Sequence, residues 1–306
     1  MKLGIKVNAD AESFDRLAMT SPQLAEVWFN ANDPDRYAGL FKELQRRKCD
    51  VGLHFWGQLD HGVLPNIAFP DEEIISQSTT LMKRTIDIAH EHAFQYVNIH
   101  PGSAAVIQVD YEAQRYDIIR DPVDMDHAIG IFLSNASTLH EYAASKQVVF
   151  TVETVPPKIT NGWYTASTRL SPKPSYELPV RAIIAAAKAG MHVANDFTHT
   201  AANIISEDAS AVFTYLRGIT EKLAPMTRLV HAGFIVPPYN GTDNHDHFSN
   251  PLFAGDLAVP NHNQTIELLQ LFSSRDDLWI LAEPKDDHAG NYKSLKTMIE
   301  IASSTA

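Results

Sequence analysis

Cysteine is nearly absent: Cys49 is the only one among 306 residues. No disulfide can form within one copy, so stability must come from a packed core, and a lone thiol fits a reducing compartment. Positive charge is also scarce. Lys and Arg total 25 against 37 Asp and Glu, a net charge of -12. Such a chain has no general attraction for polyanions, and a nucleic-acid partner would need a basic patch assembled by folding. Long apolar runs are missing. None approaches the roughly 20 residues of a membrane span, and the opening MKLGIKVNAD holds no apolar segment of signal-peptide length. The expectation is a soluble cytoplasmic protein with no membrane partner. No glycine-rich phosphate turn opens a helix, which counts against a nucleotide-binding open sheet.

What the chain does have is a regular alternation. Short runs rich in β-branched and aromatic residues recur as LGIKV (3–7), AEVWF (25–29), DVGLHFW (50–56), QYVNIH (95–100), VVFTVET (148–154), HVAND (192–196), RLVHAG (228–233) and LWILAE (278–283). Most are nearly continuous apolar runs, the pattern of parallel strands covered on both faces. Helical patterns fall between them. In 33–48, Asp33 is a cap candidate and Pro34 sits in the first turn. Others cover 70–93, 127–146, 179–190, 210–224, 264–274 and 291–304. Eight β/α units in a chain of this length, with no linker or low-complexity segment, predict one domain over 1–306, an α/β fold of the (β/α)8 TIM-barrel type. Three connections, 101–125, 155–176 and 234–260, are longer than a barrel needs. All follow strands and so belong on the C-terminal face, where long loops form site walls and lids.

Histidine is abundant at 14 residues, and its placement is informative. His54 lies in the third run, His100 ends the fourth and Glu153 is near the end of the fifth. Asp196 ends the sixth with His199 three residues on, His231 is in the seventh, and Glu283 ends the eighth. In a barrel these ends converge on one mouth. Any one histidine alone reads best as a satisfied core residue. Glutamates buried without partners, however, would cost several kcal/mol each. Mixed carboxylates and imidazoles suit Mn²⁺, Co²⁺, Zn²⁺ or Fe²⁺, whereas Mg²⁺ prefers oxygen throughout. The seventh loop adds GTDNHDHF, with Asp243, His245, Asp246 and His247 as further candidates, and His61 is a weak one.

The four strand-end residues Glu153 in TVET, Asp196 in NDFTH, His231 in LVHAG and Glu283 in LAEPK resemble the metal-binding core of the xylose isomerase-like barrel superfamily. That superfamily includes sugar and sugar-phosphate isomerases and epimerases as well as endonuclease IV. The resemblance spans essentially the whole chain. In epimerase-type members it implies that the four residues hold one divalent metal, that Glu153 and Glu283 carry the substrate proton, and that His199 touches the substrate. The endonuclease IV branch implies a trinuclear zinc site with nine ligands: His54, His100, Glu153, Asp196, His199, His231, Asp243, His245 and Glu283. NIHPGS is similar to that branch. The departures are DFTHTAAN, without the branch's cysteine and later glycine, AGFIVPPYNG in place of Asn-Asp and a basic residue, and DNH in place of Asp-Arg-His.

The first functional expectation is therefore a metal-dependent sugar or sugar-phosphate isomerase or epimerase working through an enediolate, with Glu153 and Glu283 as acid and base. Its partner is a small sugar, and nucleic acid enters only through the nuclease alternative. Lys158, Arg169, Lys173 or Lys285 could receive a phosphate. Trp163 and Tyr164, with Lys285, would form a substrate loop, although aromatic residues there could equally pin the loop to the barrel rim. A non-catalytic sugar-binding barrel and a homo-oligomeric state stay open.

Overall fold

The computed structural model describes residues 1–110, 115–159, 173–242 and 245–304. Eight parallel strands close into a barrel: β1 (Lys2–Val7), β2 (Leu24–Asn30), β3 (Asp50–Trp56), β4 (Tyr96–Ile99), β5 (Val149–Glu153), β6 (His192–Asp196), β7 (Thr227–Ala232) and β8 (Trp279–Ala282). Neighbours in sequence are neighbours in the barrel, and β8 closes on β1. The helices are α1 (Ala11–Thr20), α2 (Ala38–Arg47), α3 (Glu72–Glu91), α4 (Met125–Ser145), α5 (Val180–Lys188), α6 (Phe197–Ala202), α7 (Ala209–Leu223), α8 (His262–Gln270) and α9 (His288–Ser304). The (β/α)8 barrel expected from the alternation is the fold observed. Among the described residues, no helix is long and apolar enough to cross a membrane.

Strand side chains alternate between two environments. Outward residues such as Val27, Leu53, Val97, Phe150 and Val152 pack with Leu44, Ile86, Phe132 and Leu139 from the helices. Each such burial is worth about 1.5–3 kcal/mol. The inward set forms layers. Leu24, Tyr96, Ala194, Leu229 and Leu281 make an apolar plug. Two residues further along the same strands come Glu26, Asn98, Asp196, His231 and Glu283. The plug fits because β1 and β3 contribute glycines at its level. A Cβ at Gly4 would lie 2.6 Å from Leu24 Cδ2, and one at Gly52 would overlap the Tyr96 ring.

Several details differ from the sequence expectations. Asp33 makes no side-chain cap; Pro34–Tyr37 form a 3-10 turn that leads into α2. The helix α1 was not anticipated, because its only buried residues are Ser13 and Leu17, too few for a visible apolar stripe. It starts because Asp10 accepts a hydrogen bond from the Ser13 amide at 2.8 Å. The connection 101–125 is not an open loop: Val106–Asp110 pairs antiparallel with Arg115–Arg120. The strands also stop one residue short of His100 and Glu283, leaving both just past their strand ends.

Candidate metal centre

The barrel mouth collects charge because residues two apart on a strand share a face. Register places Lys6 on β1 beside Glu26 on β2, His54 on β3 beside Trp28 and Asn98, and Asp196 on β6 beside His231 on β7. Asp196 also starts α6. Its Oδ1 accepts from the His199 amide at 2.8 Å, so the first helical turn carries the His199 ring back over the same mouth. That geometry is the physical content of the Asp-x-x-His spacing.

Glu153, Asp196, His231 and Glu283 present donor atoms that all lie within 4.8 Å of one another. His231 Nδ1 is 3.2 Å from Glu153 Oε1, 3.5 Å from Glu283 Oε2 and 3.8 Å from Asp196 Oδ2. Asn98 Nδ2 donates to Glu153 Oε2, and Asn98 Oδ1 in turn accepts from Thr151 Oγ1 at 2.8 Å, which fixes the amide. Two further groups border this one. His54, His100 and Glu153 form the first, with His54 Nε2 3.7 Å and His100 Nε2 3.9 Å from the carboxylate. Asp196, His199 and His245 form the second, with His245 Nε2 3.2 Å from Asp196 Oδ2. His199 Nδ1 lies 2.8 Å from the Thr154 carbonyl. A carbonyl only accepts, so Nδ1 carries the proton and Nε2 is the ring's acceptor.

Burial opposes charge at Glu26, Glu153, Glu283 and His231. Against that penalty, His231 and His54 hold Glu153 well below the usual carboxylate range. Glu283 is likewise held low by His231 and Lys6, and Glu26 by Lys6 and His231. For His231, burial alone would favour the neutral ring, yet Glu283, Glu26 and Glu153 hold it well above the ordinary imidazole value. Three carboxylates around one imidazole favour positive charge in the mouth, part of which Lys6 already supplies beside Glu26 and Glu283. That is the behaviour of a site built to hold positive charge, and the mixed oxygen and nitrogen donors fit Mn²⁺, Co²⁺ or Zn²⁺.

The structure gathers His54, His100, Glu153, Asp196, His199, His231, His245 and Glu283 into this mouth. It sets His247 apart, against Ser249 Oγ at 2.7 Å and near Asp246, outside every ligand group among the described residues. Lys285 and His61 are exposed, and Lys158 is half-buried. Trp163, Tyr164, Arg169 and Asp243 lie outside the described residues, as does the side chain of Lys173. Two central residues escaped the sequence reading. Lys6 and Glu26 are both buried. Lys6 Nζ reaches Glu26 Oε1 and His54 Nδ1 at 2.6 Å each, and also contacts Glu283 Oε1. Glu26 accepts from the Tyr96 hydroxyl at 2.9 Å and lies 3.1 Å from His231 Nε2. Their signal was a single charge inside the apolar runs LGIKV and AEVWF.

No family model matches the chain. One stretch of 83 residues is 32% identical to "Probable endonuclease 4" of Thermotoga sp. (strain RQ2), covering 27% of this chain and 28% of that protein. The match thus spans little more than a quarter of either sequence. Among solved structures, a D-tagatose 3-epimerase-like protein superposes with a TM-score of 0.67 at 15% identity, over 100% of this chain and 99% of that one. Endonuclease IV from Thermus thermophilus superposes with a TM-score of 0.57 at 13% identity, over 98% and 100%. The chain therefore shares the closed (β/α)8 barrel fold of these proteins. At these identities the likeness carries architecture and leaves the reaction to the site.

Proposed function

We propose that the chain is a divalent-metal-dependent sugar isomerase or epimerase in which Glu153 and Glu283 pass a proton across one substrate carbon. The observation that carries the reading is the placement of these two glutamates. They come from β5 and β8, on either side of Asp196 and His231, and both carboxylates reach the same His231 nitrogen. Glu153, Asp196, His231 and Glu283 would hold the metal. When bound, a divalent cation there supplies Lewis-acid polarisation of a sugar carbonyl and its neighbouring hydroxyl, which stabilises an enediolate. Glu153 is oriented by Asn98, and Glu283 by Lys6. One glutamate takes the proton from the carbon, and the other returns it from the opposite side. His199 would touch a substrate hydroxyl. Lys6 is the only buried Lys or Arg among the described residues, and its donors are engaged by protein. A neutral sugar fits such a mouth better than a phosphodiester.

A second reading, multinuclear hydrolysis of a phosphodiester, draws on the two bordering ligand groups that share Glu153 and Asp196, and on the endonuclease 4 match. One experiment separates the two. The chelator-treated protein is reloaded with Mn²⁺ or Co²⁺, its metal is counted, and ketopentoses and ketohexoses are incubated with it in D2O. The expected result is one tightly held metal per chain and deuterium incorporation at a carbon next to the ketone. Glu153→Gln and Glu283→Gln should each lower that exchange by about 10²–10⁴-fold and weaken metal binding while leaving the circular-dichroism spectrum unchanged. Two or three zinc ions with cleavage of abasic-site DNA, and no exchange on any ketose, would overturn the proposal.

A further inference from the structure

We infer that the Lys6 ammonium is a resident cation: it fills a second divalent-metal pocket, made by Glu26, His54, His231 and Glu283, and keeps that pocket closed to metal. These four residues offer donor atoms within 4.8 Å of one another, so by composition and spacing they form a metal group like the quartet, with which they share His231 and Glu283. The two groups share side chains but not donor atoms. His231 turns Nδ1 to the quartet and Nε2 to Glu26, at 3.1 Å. Glu283 turns Oε2 to His231 Nδ1 and Oε1 to Lys6. His54 turns Nε2 to Glu153 and Nδ1 to Lys6. Glu283 can therefore serve both pockets, whereas neutral His231 has one lone pair: with Nδ1 on the quartet its Nε2–H faces Glu26, and the donors left to the second pocket are Glu26, His54 and Glu283.

Lys6 Nζ sits among the second set. An ammonium has three N–H donors, and here they meet three acceptors: Glu26 Oε1 and His54 Nδ1 at 2.6 Å each, and Glu283 Oε1. The Trp28 ring covers it, with Nζ 5.2 Å from the ring centroid.

The inference does not depend on the substrate, and its test is read as a difference between variants. The wild-type chain, Lys6→Met, Glu26→Gln and the Lys6→Met/Glu26→Gln double variant are stripped with chelator. They are then equilibrated with excess Mn²⁺, desalted and counted by elemental analysis. Lys6→Met keeps the length of the side chain and removes its charge. It should hold one more Mn²⁺ per chain than wild type, and the double variant should return to the wild-type count. Glu26→Gln alone should match wild type, because Lys6 rather than a metal neutralises Glu26. A Lys6→Met chain that folds only with Mn²⁺ in the medium supports the inference, since metal then replaces the missing charge. A Lys6→Met count equal to wild type overturns it. A Glu26→Gln count below wild type also overturns it, even if Lys6→Met cannot be obtained. A wild-type chain that binds no metal at all would sink the proposed enzyme function, while the gain or absence of gain in Lys6→Met still decides the role of Lys6.

Discussion

Replacing Gly52 by alanine tests the plug that supports the site. Gly52 on β3 pairs with Tyr96 on β4, and a methyl group there would overlap three atoms of the Tyr96 ring. The ring has little room to retreat. Tyr96 is fully buried, its centroid lies 4.8 Å from that of Trp279, and its hydroxyl donates to Glu26 at 2.9 Å. Overpacking alone costs about 1–3 kcal/mol. If the ring shifts enough to lose its bond to the buried carboxylate, roughly 1.5–3 kcal/mol is added. The sum, about 2.5–6 kcal/mol, is a large share of the 5–15 kcal/mol that typically holds a domain together. Urea unfolding of the metal-free protein, followed by far-ultraviolet circular dichroism, reads this from the midpoint and slope. A Tyr96→Leu background supplies the control, because leucine lacks the overlapped ring atoms. There Gly52→Ala should cost no more than about 1 kcal/mol, a coupling of at least about 1.5 kcal/mol between directly contacting residues. A single-variant cost below about 1 kcal/mol, or an equal cost in both backgrounds, refutes the packing argument.

Two other outcomes follow from the site and from the far end of the barrel. The double change Asp243→Ala/His245→Ala should leave the tight metal in place and shift KM or turnover, since His245 is not one of the four residues Glu153, Asp196, His231 and Glu283; loss of one metal per chain on elemental analysis would favour the multinuclear reading. Asp277→Asn should cost about 1 kcal/mol at pH 7, a modest figure because the group is partly exposed. Asp277 is held below its ordinary value chiefly by Arg275, with burial opposing and Arg228 assisting. Its contribution is therefore fully present above the unfolded-state carboxylate value and is lost as pH falls through the folded one. Urea midpoints of the two proteins should converge below about pH 4, and a gap that persists to pH 2 contradicts the assignment.

The strand ends were readable because a barrel converts position along the chain into position in space. A histidine or carboxylate at the C-terminal end of an apolar run has one destination once the runs are parallel strands. Glu153, Asp196, His231 and Glu283 stood out for that reason, and His54, His100 and His199 with them. His245 was visible only as a member of an acidic and histidine-rich loop, with nothing in its spacing to separate it from His247. The structure separates them: His245 is buried against Asp196, while His247 faces Ser249 and solvent. Loop geometry has no period from which side-chain direction can be inferred. The hairpin formed by Val106–Asp110 and Arg115–Arg120 was hidden for a related reason, since strands that extend from the barrel lack the two-sided apolar cover that marks its staves.

Lys6 and Glu26 show where sequence reasoning stopped. A lone charge in a short apolar strand reads as readily as an outward residue at the barrel base as it does as an inward one. Neither run says which face residue 6 or residue 26 presents, because a shift of one residue exchanges the two faces of a strand. Closure of the sheet removes that ambiguity. It pairs Lys6 with Glu26, places both above the plug built around Gly4 and Gly52, and leaves the ammonium three acceptors from three different β/α units. Local pattern thus determined that this chain would be a parallel barrel with ligand-type residues at its mouth, because period and burial are written residue by residue. Which charges meet, and which atom of each shared side chain faces which pocket, was decided only by strand register and barrel closure, since those contacts join residues as far apart as 6 and 283.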